Sequence, residues 1–561
     1  MPLDNTNQAA VAGVQNTIIS PLEMLYKWEK ENTEQHYMTQ PVKGETRTFT
    51  WGQTAETARR VAAKLKSYDY PKGTRIGILG KNTAEWVITD LAIMMAGYVS
   101  VPIFSTAGKD TITYVLEHAE CPLLFVGKLD NTAAINAIET DDLIKVGFPY
   151  DDVSADIDWG TFTDIEPMQE SPVHDMNDIM TIIYTSGSTG QPKGVVHTYN
   201  TINWAARNSL NALEVSAKDR VMSYLPLAHI TERVLIELAS LYAGTSIHFV
   251  ESLESFTRDV KDCQPTLFIS VPRLWTKFQM GVLSQIPQKK LSFLLSIPFV
   301  GKKVAKKVRD GLGFGSARMW ASGSAPIPPA TIEWFSKIGV DISEGWGMTE
   351  NSAYGTSTIP FRADKIGSIG KAYDGVEVRI AEDGEIQVKG TCNMVGYYKD
   401  QEKTDEVFTS DGYLRTGDKG VIDDDGFVFI TGRLKDIFKT EKGKYVAPAP
   451  IEASIMENSM VEQVCVTGTS LPQPIALLVL SADARTEAKD IVTEALTNTL
   501  NEVNAQLESH QRMDRVIVFT EEWSVENELL TPTLKVKRHV IEEKFKDAIT
   551  GKYSDKVVWG D

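Results

Sequence analysis

Apolar positions recur along this chain in two alternating rhythms. Spacings of three and four predict helices over 61–66 and 83–97. Short β-rich runs predict strands at 75–79, 99–104 and 123–126. Helix and strand in alternation are the mark of α/β layers with largely parallel sheets. Between 374 and 432, Gly-Asp, Asp-Gly and Gly-Phe steps become frequent, which predicts shorter antiparallel strands. Beyond lie strands at 463–468, 475–480 and 515–520, a helix over 486–510 and a last helix after Val536. Residues 1–20 are polar and expected to be loosely held. No internal repeat or low-complexity tract breaks the pattern.

The uncharged run 91–108 raises the question of a membrane span. It contains Gly97, Ser100, Pro102 and Ser105, and its periodicity turns strand-like at Val99-Ser100-Val101. A buried helix running into a core strand fits better than a spanning helix.

Composition narrows the class. A chain of 561 residues with 42% hydrophobic and 24% charged residues is long enough for two or more domains and has ordinary globular character. Acidic residues outnumber basic ones 75 to 57, a net charge of −18, which argues against general nucleic-acid binding. Any anionic substrate must then be met by local positive charge. Cys121, Cys263, Cys392 and Cys465 lie more than seventy residues apart, so neither a zinc site nor a disulfide framework is signalled. Reduced, cytoplasmic residence is expected, and the N-terminus lacks the basic and apolar regions of a secretory signal.

The most informative segment is 184–194, Tyr-Thr-Ser-Gly-Ser-Thr-Gly-Gln-Pro-Lys-Gly, which follows the apolar run Ile179-Met180-Thr181-Ile182-Ile183. Glycines let backbone N–H groups approach an anion, hydroxyls add neutral donors, and Lys193 adds a mobile charge. A Walker loop is excluded by spacing: Pro192 stands where glycine is needed, and Gly194 follows the lysine. The loop instead resembles the signature of the adenylate-forming superfamily, which includes acyl-CoA synthetases, luciferases and nonribosomal peptide adenylation domains.

Further segments match that superfamily in the same order over about 350 residues. Tyr224-Leu225-Pro226-Leu227-Ala228-His229-Ile230-Thr231-Glu232-Arg233 is similar to the motif of the long-chain fatty acid–CoA ligase branch. Ala321-Ser322-Gly323-Ser324-Ala325-Pro326 resembles the strand end along the adenine, and Glu344-Gly345-Trp346-Gly347-Met348-Thr349-Glu350 the aromatic-Gly-x-Thr-Glu motif. Tyr413-Leu414-Arg415-Thr416-Gly417-Asp418 and Gly432-Arg433-Leu434-Lys435-Asp436 resemble the ribose and hinge motifs. Thr531-Pro532-Thr533-Leu534-Lys535-Val536-Lys537-Arg538 resembles the C-terminal catalytic-lysine segment.

The resemblance implies an α/β fold: a large multi-layer N-terminal domain of α/β subdomains with a β-rich part (1–432, AMP- and acyl-binding), and a small mobile α+β C-terminal domain (433–561) carrying the catalytic lysine. It implies ATP, Mg²⁺ and CoA as reactants. The loop residues Thr185, Ser186, Gly187, Ser188, Thr189, Gly190 and Lys193 would take the phosphates. Gly323, Ser324 and Ala325 with Glu344, Gly345 and Trp346 would enclose the adenine. A tryptophan alone is more often plain core packing. Thr349 would donate to the α-phosphate, and Glu350 would hold the metal, with Thr185 as a further contact. Asp418 would accept from the ribose diol and Arg433 would add donors; without the context, the one is a turn aspartate and the other a solvated hinge charge. Lys535 would stabilise charge during adenylation. Lys537 is its rival, because the segment reads Thr-Leu-Lys where Ser-Gly-Lys is usual. Lys435 falls at the hinge, and Gly443, within 439–448, would let the backbone approach the pantetheine arm. His229 is either a gate or neighbour of the acyl carboxylate, or a structural histidine. Arg233 stands where some long-chain enzymes carry a tryptophan, so a tryptophan gate is not carried over.

A fatty acid is the implied substrate. Residues 289–309 hold seven basic residues and no acid, interleaved with Leu291, Phe293, Leu295, Ile297 and Phe299. Two readings stay open: peripheral docking at the inner face of a membrane, or a solvated basic helix. The leading function is an ATP-dependent fatty acid–CoA ligase. Alternatives are an acyl-AMP ligase serving a carrier protein and a catalytically silent acyl-binding protein.

Overall fold

The computed structural model describes residues 19–138, 142–150, 153–185, 191–525, 527–531 and 535–560. The expected loose tail lies outside the described residues as far as 18, but Ser20 is not loose. It is buried and caps the helix Pro21–Glu31, exchanging hydrogen bonds with Glu23 in a capping box.

Among the described residues the central layer is an eight-stranded sheet. Its parallel core runs Ile179–Thr185, Val99–Ile103, Arg75–Gly80, Leu123–Gly127, Ile144–Gly147. Such strands are covered on both faces and read as continuous apolar runs rather than alternating ones; every residue of Val99–Ile103 and Leu123–Gly127 is buried. The helix Ala84–Ala96 is buried all round and ends at Gly97, whose left-handed φ of 79° lets the chain turn straight into Val99–Ile103. The uncharged stretch is thus a core helix and a core strand, as its changing periodicity predicts.

A second, five-stranded sheet has a parallel part, Leu267–Ser270, Met319–Ser322 and Ile342–Trp346, extended by two antiparallel strands. The glycine- and aspartate-rich region forms an antiparallel sheet of Val376–Ile380, Glu385–Gly390, Leu414–Ile422 and Val428–Arg433. After Phe438 the chain builds a mixed four-stranded sheet, Val461–Thr467, Ile475–Leu480, Val516–Phe519 and Val557–Trp559, with the helix Lys489–Gln506 and its own core of Val466, Leu478, Val518 and Leu496.

The basic segment is a helical hairpin, Gln288–Ser296 and Val300–Gly311. Lys289, Lys290, Lys302, Lys303, Lys306 and Lys307 are exposed, and so are Phe293 (66%) and Phe299 (83%). Phe299 sits between the helices at a φ of 64°, a conformation that costs a bulky residue energy.

All four cysteines are unpaired and buried, and burial pushes each thiol up to about 12. They are core side chains without thiolate character.

Candidate active site

The phosphate-loop candidate joins two antiparallel strands. Ile179–Thr185 and Lys193–Thr198 pair with Thr185 opposite Lys193 and Tyr184 opposite Gly194. A Walker loop leads into a helix whose N-terminus helps hold phosphate; this one leads into a strand, in keeping with the failed spacing. Ser186, Gly187, Ser188, Thr189 and Gly190 lie outside the described residues. Thr185 turns its hydroxyl toward the Lys193 carbonyl at 3.5 Å.

Lys193 places its ammonium 4.9 Å from the centre of the Tyr397 ring. The Tyr397 hydroxyl donates to Glu350 Oε1 at 2.9 Å, and burial, then the Glu350 charge, holds that phenol well above its usual range. Tyr397 therefore bridges the loop lysine to the metal-ligand candidate. It sits on the short strand Gly396–Tyr397, which adds to Lys193–Thr198, and carried no sequence signal. Glu350 is buried, and its carbonyl accepts from Met394 N–H at 2.7 Å. Beside it, the Thr349 carbonyl accepts from Nε2–H of the fully buried His197 at 2.8 Å, and burial holds that imidazole neutral, down to about 4.

The C-terminal ends of the parallel strands Met319–Ser322 and Ile342–Trp346 meet here, the position where open α/β sheets bind ligands. Gly323 lies so near the Gly345 carbonyl that a Cβ would stand 3.1 Å from it. Ser324 follows at a φ of 68°, with Ala325 exposed beside it. Glu344 is buried under this edge, and burial pushes its carboxyl up to about 7 against opposing hydrogen bonds from Gly367 and Ile327. Trp346 points its indole N–H at Asp418 Oδ2, 3.0 Å away. Asp418 and Arg433 face one another across paired strands, with Arg433 Nε 2.8 Å from Asp418 Oδ1. A carboxylate has about four acceptor positions, so Asp418 can hold both partners and still receive a diol.

Lys435 is exposed in the turn after Arg433, where Leu434 N–H donates to the Gly417 carbonyl at 2.8 Å. From this turn the chain enters the C-terminal core and returns with Lys535. Lys535 N–H donates to Thr531 Oγ1 at 3.0 Å, and Thr531 N–H to the Lys535 carbonyl at 2.8 Å. The Lys535 ammonium is held below its ordinary range by burial and then by the Arg433 charge, while Asp418 and Glu350 pull it back up. The residue is exposed at the surface, and its charge acts on the carboxylates of the other domain. Arg538, three residues on, is spent within its own domain, on Glu452 at 2.8 Å.

His229 caps the short helix Ile230–Glu232, accepting from Thr231 N–H at 3.3 Å. Burial, then Lys535, holds its imidazole down to about 4, so it is neutral at pH 7. The last two motif residues are internal. Glu232 is buried, and its Oε1 accepts from Ser223 Oγ at 2.7 Å, Tyr224 N–H at 3.0 Å and Asn82 Nδ2 at 3.2 Å. Arg233 is fully buried and binds Asp90 at 2.5 Å and Thr181 Oγ1 at 2.8 Å, with Glu237 3.4 Å away. Burial and the neighbouring Asp90 hold Glu237 well above the usual carboxylate range. Arg233 thus ties the helix after His229 to the central sheet and does not stand at a gate. Next to that helix, Val221, Leu235, Ile236, Ala239, Leu267 and Ile269 line a small apolar void with about 10 Å³ of room for a water-sized sphere. An acyl chain would need these side chains to move apart.

Gly443 lies in the exposed hairpin between Phe438–Lys439 and Tyr445–Val446 at a φ of 75°, with Lys439, Lys442 and Lys444 around it. The structure joins Lys193 to Glu350 through Tyr397 and joins Trp346 and Arg433 through Asp418; the Lys535 charge acts on Glu350, Asp418, Arg433 and His229, while Gly443 lies on a surface turn of the C-terminal domain.

Comparison with known proteins matches residues 27–398 to the model of the AMP-binding enzymes and residues 435–557 to that of the AMP-binding enzyme C-terminal domain. Long chain acyl-CoA synthetase 7, peroxisomal, of Arabidopsis thaliana is 30% identical over 91% of this chain and 82% of its own length. A long-chain-fatty-acid–CoA ligase of Mycobacterium bovis is 26% identical over 95% of this chain and 96% of its own. Among solved structures, an anthranilate CoA ligase in complex with anthranoyl-AMP superposes with a TM-score of 0.78 at 22% identity, covering 94% of this chain and 98% of that one.

The buried Glu232 carboxyl, pushed up to about 8 by burial against its hydrogen bonds, gives a test by pH. A carboxyl held above its unfolded value keeps its proton longer in the folded state, so stability falls as pH rises from about 4.5 to about 8. Glu232→Gln keeps an acceptor oxygen without the charge. The stability of wild type relative to this variant should decline across that window, measured by thermal unfolding at each pH; a constant difference would contradict the assignment.

Proposed function

This chain belongs to the AMP-binding enzymes, and from that premise we propose that it is a long- or medium-chain fatty acid–CoA ligase working in two steps. In the first, a carboxylate oxygen of the acid attacks the α-phosphorus of ATP and diphosphate leaves, giving acyl-AMP. In the second, the CoA thiol attacks the acyl carbon, loses its proton, and AMP leaves. The relatives named as long-chain acyl-CoA synthetases, aligned over nine-tenths of the chain, support the choice of acid. The observation that carries the reading is Asp418 held by Trp346 Nε1 at 3.0 Å and Arg433 Nε at 2.8 Å, with the charge of Lys535 from the C-terminal domain in its field.

Adenylation brings two anions together, and fixed positive charge lowers the cost. In this reading Lys193 and Lys535 take phosphate charge from opposite sides, Thr349 orients the α-phosphate, and Asp418 fixes the ribose. Trp346, anchored through its N–H to Asp418, presents a flat face for the adenine. Mg²⁺ seeks few carboxylates and completes its shell with phosphate oxygens and water, which suits Glu350, joined to the loop lysine through Tyr397; Thr185 would be a further contact, and the ion would neutralise phosphate charge. A neutral His229 beside Lys535 adds no charge to repel the ammonium. Rotation about Lys435 would then withdraw Lys535 and bring the Gly443 hairpin, with its three lysines, toward the thiol arm.

We also read the hairpin of 289–309 as meeting an anionic bilayer. Among the described residues no helix is long and apolar enough to cross a membrane. Two exposed phenylalanines among six exposed lysines, on a chain of net charge −18, favour peripheral docking.

Three outcomes are expected. Incubated with a panel of acids and ATP, the protein should release diphosphate and AMP, with acyl-CoA formed when CoA is added. Accumulation of acyl-AMP despite CoA would favour a carrier-protein acceptor, and no turnover a silent binder. In the same assay Lys535→Ala should lose adenylation by at least about a hundredfold and keep thioester formation from supplied acyl-AMP; equal loss in both steps would refute its assignment. For the hairpin, replacing Lys302, Lys303, Lys306 and Lys307 by Gln should abolish co-sedimentation with vesicles of phosphatidylcholine and phosphatidylglycerol. Undiminished binding would retire the bilayer reading.

A further inference from the structure

One ion pair links the surfaces of the two domains at a distance from the reacting groups. Arg273, in the first turn of the helix Pro272–Gln285, binds Glu462 on the strand Val461–Thr467 through its Nη2. The side chains are 45% and 22% exposed, so the pair lies at the edge of the interface. Burial lowers the Arg273 guanidinium and the nearby Glu522 raises it, which puts a second carboxylate of the C-terminal domain in its field. A positive charge in the first turn of a helix opposes the helix dipole. Arg273 therefore does not serve its own helix.

That helix is joined closely to the nucleotide edge. It begins at Pro272, two residues after Ser270, whose carbonyl accepts from Gly323 N–H at 3.2 Å. A pull on Arg273 thus acts on the same strand ends that hold the adenine candidates. Also between the two domains, Glu457 is raised by burial and then by Glu333 of the helix Pro329–Ser336. The interface thus carries both an attraction and a like-charge repulsion. Such a contact can hold one orientation without locking it.

We propose that Arg273 and Glu462 form a latch that holds the C-terminal domain with Lys535 toward Glu350 and Asp418, and that this latch opens for the second half-reaction. Both act as positioning residues, since neither touches the reacting atoms. The inference rests on the two-step reading above. It makes the balance between the half-reactions depend on one exposed pair, and hence on ionic strength.

The experiment compares Arg273→Ala, Glu462→Ala and the exchanged pair Arg273→Glu with Glu462→Arg, using the full chain. Diphosphate release from acid and ATP without CoA should slow about two- to five-fold in each single variant. Thioester formation from supplied acyl-AMP should stay at the wild-type rate or rise. Trypsin should cut 433–444 faster in the single variants, because the freed domain lets the hinge backbone, tied by Leu434 N–H to the Gly417 carbonyl, open more often around the exposed Lys435 and Lys439. The exchanged pair should restore both readouts. Unchanged adenylation in the single variants, a parallel loss in both half-reactions, or an exchanged pair that restores nothing would each overturn the latch. Should the wild type itself form no acyl-AMP, the two-step reading falls; unchanged trypsin cleavage would then overturn the latch by itself.

Discussion

Lys535 lies more than a hundred residues along the chain from both carboxylates it acts on, Glu350 and Asp418. Drying an ammonium is costly, and burial with the neighbouring Arg433 charge both work against Lys535. The two carboxylates offset that cost, so the position of the small domain is coupled to the charge of the site. An ATP phosphate chain would strengthen the attraction, and departure of diphosphate would weaken it. Domain placement and charge balance are then one problem. A modest ion pair such as Arg273–Glu462 has leverage because burial and attraction at Lys535 pull in opposite directions.

Rigid elements fix the other groups. The ends of two parallel strands set Gly323 and Trp346, a cross-strand pair sets Asp418 and Arg433, and a β-hairpin sets Lys193. Each part is supported from behind by buried polar contacts: His197 on the Thr349 carbonyl, Tyr397 on Glu350, and Asn82 and Ser223 on Glu232. The motif from Tyr224 to Arg233 shows how such support is divided. His229 lies in the field of Lys535, whereas Glu232 and Arg233 anchor the segment to the core. Removing the Arg233 charge would leave Asp90 buried without its partner, the kind of loss that costs about 3–5 kcal/mol.

The chemistry-bearing segments were legible because their composition is forced by the task. A loop that grips phosphate needs glycine, hydroxyls and a lysine, and few other sequences look like 184–194. The helix-to-strand change at Gly97 was legible for a similar reason, since periodicity follows burial. Tyr397 was not, because a tyrosine in a short strand has no distinguishing neighbours. Arg233 read as a departure at a gate position, yet its depth in the core shows a structural charge. The choice between Lys535 and Lys537 rests on alignment in the sequence; in the fold Lys535 lies in the field of Glu350 and Asp418.

By itself the sequence determined what could be settled locally: the order of helices and strands, the exclusion of a Walker loop, the spacing of the motifs and the reversal of charge at 289–309. Hydrogen-bonding capacity, periodicity and net charge are properties of neighbouring residues, and one dimension records them. Tertiary structure alone decided which distant charges share a field, which acids lie too deep to ionise readily, and that Arg273 meets Glu462 189 positions away. Those facts depend on distance and dielectric in three dimensions, and sequence separation carries neither.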